Sequence, residues 1–91
     1  MASIAPVRPS PIAGAWYEGN PSALRRAVDD YMDRAELPEM EGEILAVIAP
    51  HAGHFYSGPV AGYAFASVRG RKPDLVAVVS PMHRPYQDPL L

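Results

Sequence analysis

Cysteine is absent from all 91 residues, so neither a disulfide nor a thiolate ligand is available within them. Any metal held by this chain has to use His, Asp or Glu. Also missing is a run of ~18 apolar residues, the length a spanning helix requires, and no basic segment leads into an apolar stretch at the start. The expected location is therefore the cytoplasm, with no membrane partner. Nor is there a dominant charge: eight Lys and Arg stand against ten Asp and Glu, leaving −2. The densest basic stretch is Arg69, Arg71 and Lys72 around Gly70. A nucleic-acid surface draws its affinity from counterion release by a basic face, so no nucleic acid is expected as partner. No Walker loop, dinucleotide fingerprint or Ser-His-Asp ordering occurs, which removes the common nucleotide-binding and acyl-transfer chemistries.

What is present is a globular composition, 48% hydrophobic and 20% charged. Pro6, Pro9 and Pro11 cannot donate to a helix or a central strand, which predicts an extended arm running into Ala13-Gly14-Ala15-Trp16-Tyr17. Asn20-Pro21 reads as an N-cap with proline at the first helical position. Leu24, Val28, Tyr31, Met32 and Ala35 then recur at spacings of three and four, giving one apolar stripe and a helix over 21–35. Asp29, Asp30 and Asp33 fall mostly on the other, solvated side.

Ile44-Leu45-Ala46-Val47-Ile48-Ala49 is a continuous apolar run rich in β-branched residues, the habit of a strand buried on both faces in a parallel sheet. Pro50 stops it. A loop from His51 to Ser57 leads to a second helix over 59–69, ended by Gly70. A second buried strand follows over 75–80, stopped by Pro81. Strand, helix and strand in this order predict a right-handed βαβ unit. The expected fold class is α/β, the first part of a mostly parallel or mixed sheet flanked by helices. His51 follows the first strand by two residues and His83 the second by three or four. Both then stand at the carboxyl edge of one sheet, where open α/β sheets bind ligands. Neighbouring strands lie ~4.8 Å apart, so the two imidazoles converge if the strands are adjacent.

These placements nominate the chemistry. His51, in Ala49-Pro50-His51-Ala52-Gly53, and His83, in Ser80-Pro81-Met82-His83-Arg84, are candidate metal ligands. The bland reading of each is a structural histidine bonded to loop backbone. His54 is a candidate third ligand or acid–base group, against a surface or supporting role. Trp16, Tyr17, Phe55 and Tyr56 are candidates to line a pocket, against ordinary turn packing. Ser57-Gly58 offers either an anion site at a helix start or a plain N-cap. Two histidines fall short of the three protein ligands that a catalytic iron or zinc site uses.

At these motifs the chain resembles the MEMO family, also called AmmeMemoRadiSam system protein B. The residues that carry the likeness are Ala13-Gly14-Ala15-Trp16-Tyr17, Ala49-Pro50-His51-Ala52-Gly53, Tyr56-Ser57-Gly58 and Val60-Ala61, with the run over 75–79 followed by Pro81 and His83. The resemblance implies an α/β architecture of the class III (LigB-like) extradiol dioxygenase kind. It implies that His51 and His83 are metal-site residues, with Fe(II) as the first candidate and copper or zinc as others, and that Trp16 and Tyr56 line the substrate pocket, where His54 is expected to join them. It further implies dioxygenase-like oxidoreductase chemistry or, alternatively, a non-catalytic module that takes a small molecule, peptide or small anion in the same cleft. Association with radical SAM and AMMECR1-type proteins is a further implication. Two departures bear on the pocket: the family usually has Tyr where His54 stands, and Gly-Pro-Ser/Asn-His where this chain has Ser80-Pro81-Met82-His83. Met82 removes a polar neighbour of the expected ligand.

Two strands buried on both faces do not make a domain, so the chain is expected to be the N-terminal part of a single larger α/β domain. On that expectation residues 1–91 should neither fold cooperatively alone nor saturate with metal, because further ligands lie beyond residue 91.

Overall fold

The computed structural model describes residues 6–81. Two α-helices organise them, α1 (Pro21–Asp33) and α2 (His54–Ala66), packed against each other. α1 starts as its sequence dictates. The Asn20 side chain accepts a hydrogen bond from the Ala23 N–H at 3.0 Å, and Pro21 occupies the first turn, where its missing N–H costs nothing. The helix closes at Asp33 rather than Ala35, with the Arg34 N–H bonded to the Asp30 carbonyl.

α2 begins five residues earlier than the sequence rules place it, and the difference has a physical cause. Ser57 and Pro59 look like a cap and a first helical residue, yet both lie inside the helix, which Gly53 caps without a side-chain bond. Pro59 removes the hydrogen bond that an N–H there would give the Phe55 carbonyl, and Gly58 and Gly62 each lower helix propensity by ~1 kcal/mol. Packing overrides both. Gly58, Gly62 and Ser57 are the buried residues of α2. An added Cβ at Gly58 would stand 2.6 Å from Tyr31 Cζ, and one at Gly62 would stand 2.5 Å from the Tyr31 carbonyl oxygen. The two glycines thus let α1 approach as closely as bare backbone allows.

Beyond Ala66 the chain runs through turns to Gly70, whose φ of +84° is the left-handed conformation that favours glycine. Arg69 ties this end back to α1, its guanidinium reaching Asp33 at 2.5 Å and Asp29, one turn earlier, at 3.4 Å. The hydrogen bond to Asp33, helped by the charges of Asp33 and Asp29, holds the Arg69 guanidinium above its ordinary pKa.

The segments expected as strands, 44–49 and 75–80, form no β-ladder among the described residues. Residues 75–80 are exposed throughout, while 44–49 alternate between exposed and half-buried, with Ile48 and Val79 each 96% accessible. The reason is that a strand is defined by its neighbour. Apolar runs of this kind need pairing at the edges and cover on both faces, and the described residues supply two helices and no further strand. No apolar side chain among the described residues is fully buried. Nor is any helix among them long and apolar enough to cross a membrane.

Candidate functional site

The site is built where the 10–19 turn meets the first turn of α2. Gly14 makes the turn possible with φ +85°. Its N–H donates to the Tyr17 carbonyl at 2.7 Å, while the Ile12 carbonyl accepts from Ala15 and Trp16. Tyr17 and Ser10 hydrogen-bond through their hydroxyls across the base of the turn. The turn is then fastened to α2, because the His54 N–H donates to the Trp16 carbonyl at 2.8 Å. This uses one of the helix's otherwise orphaned first N–H groups. From inside the helix, the Ser57 hydroxyl donates to the Ala52 carbonyl at 3.1 Å. Ser57 is thus a brace for the 51–53 loop from inside the helix and not its N-cap.

Between the turn, α1 and α2 lies a cavity of about 410 Å³. Trp16, His51 and His54 line it together with Tyr17, Tyr31 and Phe65. Trp16, nominated from the sequence, thus meets His51 and His54, 35 or more positions away, at one surface. Tyr56 does not join them: it is 80% exposed, and its ring meets Phe55 edge-on at 5.2 Å. His83, the second expected metal ligand, lies outside the described residues.

His54 is the most constrained of the group. Its ring sits 5.7 Å from Tyr17 and 5.9 Å from Tyr31, the latter edge-to-face at 86°. Tyr31 also donates its hydroxyl proton to the His54 carbonyl oxygen at 3.2 Å. The His54 Nδ1 is shielded from solvent without a hydrogen-bond partner among the described residues. Tyr31 was read from the sequence only as one member of an apolar stripe. The signal that could have singled it out is the Gly58-x-x-x-Gly62 spacing, which marks a close approach by another element.

His51 occupies the cavity wall after Pro50 as an exposed imidazole. Imidazole is a suitable donor for iron, copper or zinc, so the donor kind at this wall fits a divalent metal. Among the described residues no group of three His, Cys, Asp or Glu converges to hold one. A metal bound at this wall would need ligands in addition to the described residues.

The matches to known proteins agree with the motifs. A family model described as Memo-like protein matches residues 8–91. A MEMO1 family protein of Pyrobaculum aerophilum is 34% identical over 84 residues, covering 85% of this chain and 30% of its own length. A MEMO1 family protein of Methanothermobacter thermautotrophicus is 38% identical with the same coverage. The memo-1 homolog of Caenorhabditis elegans is 38% identical over 71 residues, 78% of this chain and 20% of its own. No solved structure matches. This chain belongs to the Memo-like family, and it spans about 20–30% of the length of the curated relatives it matches.

Proposed function

We propose that this chain forms one wall of a metal-dependent, dioxygenase-like active-site cleft within an α/β fold, with His51 and His83 among the ligands of a divalent metal, Fe(II) first. The observation that supports this best is the meeting of His51, Trp16 and His54 at one aromatic-walled cavity. The bound metal would supply Lewis-acid or redox chemistry. The chain's own residues do the rest. Pro50 and the Ser57–Ala52 bond hold the loop that presents the His51 imidazole. The apolar and aromatic wall made by Trp16, Tyr31 and Phe65 receives the body of an organic substrate and excludes water from it. His54, wedged between Tyr17 and Tyr31, keeps its orientation when that substrate arrives.

Metal analysis of the full-length protein after anaerobic loading with Fe(II) tests this reading. One equivalent of iron in the wild type, lost in His51→Ala and in His83→Ala with circular dichroism unchanged, is the expected result. Full retention of iron by His51→Ala would sink the site. A second reading is a non-catalytic module that takes a peptide or small anion in this cleft, and the mostly apolar lining of the cavity favours the peptide. Ligand binding that survives chelation without turnover selects it.

A further inference from the structure

A second cavity, of about 270 Å³, adjoins the first along Trp16, Tyr17, Tyr31 and His54 and does not include His51 in its lining. We propose that it binds a small organic ammonium ion carrying methyl groups. Five rings line it, those of Trp16, Tyr17, Tyr31, His54 and Phe55, and Glu18 is its charged side chain. Aromatic faces carry the negative part of the ring quadrupole, so several rings around one space attract a cation and repel an anion. The charge pattern points the same way. Glu18 is the one carboxylate in the lining, and it has no ion pair among the described residues.

Other ligand classes fit less well. A wholly apolar guest would cover Glu18 without neutralising it, at the cost of a partly desolvated carboxylate. A calcium or magnesium ion wants six or more oxygen ligands, and one carboxylate among rings falls far short. A methylated ammonium satisfies both halves of the cavity, its methyl groups against the rings and its charge beside Glu18. The volume lies below the range of ~300–1,000 Å³ that drug-sized ligands occupy, which suits a headgroup rather than a large molecule. The rings are also reachable: Trp16 is 52% exposed and Phe55 86%. Four of these rings, those of Trp16, Tyr17, Tyr31 and His54, also line the first cavity, but His51 does not line this one.

Isothermal titration of the full-length protein with choline, and with its neutral isostere 3,3-dimethylbutan-1-ol, decides the matter. Choline should bind ~3–10-fold more tightly than the isostere, as expected where several part-exposed rings and one carboxylate act on the same charge. Glu18→Gln and Phe55→Ala should each weaken choline by ~3–30-fold, with melting temperatures reported alongside. Glu18 sits on an exposed turn, so its variant keeps the test alive if Phe55→Ala unfolds. Nε-trimethyllysine, titrated in parallel, distinguishes the two common carriers of this group; the tighter ligand names the source, and binding of either supports the class. Equal affinity for choline and the isostere, no binding of either cation, or wild-type choline affinity in Glu18→Gln overturns the proposal.

Discussion

Tyr31 and His54 are joined twice, by a hydroxyl-to-carbonyl hydrogen bond of 3.2 Å and by an edge-to-face ring contact at 5.9 Å. Through this pair α1 sets the position of the first turn of α2, and with it the loop that carries His51. Tyr31→Phe keeps the ring and removes only the hydrogen bond. In the full-length protein it should cost ~0.5–1.5 kcal/mol of stability, measured by denaturant unfolding. A loss above that range would mean that the phenol does more than hold the His54 carbonyl.

The two glycines facing Tyr31 should respond unequally to alanine. At position 58 the new methyl meets the far end of the Tyr31 ring, which can swing aside. At position 62 it meets Tyr31 backbone, which cannot move without shifting α1. Gly62→Ala should therefore destabilise by ~1–3 kcal/mol despite its better helix propensity, and Gly58→Ala by less. An unfolding midpoint for Gly62→Ala at or above the wild type would contradict the close approach.

Asn20→Ala removes the bond to the Ala23 N–H and should cost ~1 kcal/mol, while Asn20→Asp or Asn20→Ser should come close to the wild type. Amide exchange of Ala23 reports the local effect directly, and protection unchanged in Asn20→Ala would refute the cap.

The Arg69 pairs should matter less than the packing. Arg69, Asp29 and Asp33 are all substantially exposed, and exposed ion pairs are weakened by solvent and salt. Arg69→Met should lower stability by less than Gly62→Ala does, and the difference from wild type should shrink as salt is raised. A loss that is large and insensitive to salt would show that the clamp holds α1 and α2 together by itself.

What the sequence discloses differs between the two helices. α1 was legible because its signals are local: an Asn-Pro start and an apolar stripe within a dozen residues. α2 was legible as a helix but not in where it starts, because Ser57, Gly58 and Pro59 all signal a boundary and only contact with Tyr31, more than 20 positions away, overrules them. The runs 44–49 and 75–80 are a different case. Their composition states how they would be covered, while pairing depends on strands that the described residues do not provide. In the candidate site, His51 was found through its place after an expected strand, Trp16 through the family resemblance, and His54 only as a nearby candidate that its spacing did little to support. The partnership of His54 with Tyr17 and Tyr31 was not, since ring contacts between separate elements leave no periodicity in the chain.

The close approach at Gly58 and Gly62 also sets which substitutions can become fixed together. Position 58 is opposed by a side chain, so a larger residue there becomes tolerable once position 31 shrinks, and the two sites can drift as a compensating pair. Position 62 is opposed by the main chain of residue 31, which every amino acid shares. No replacement at 31 makes room for it, so glycine at 62 should persist across descendants of this sequence even where 58 and 31 have both changed.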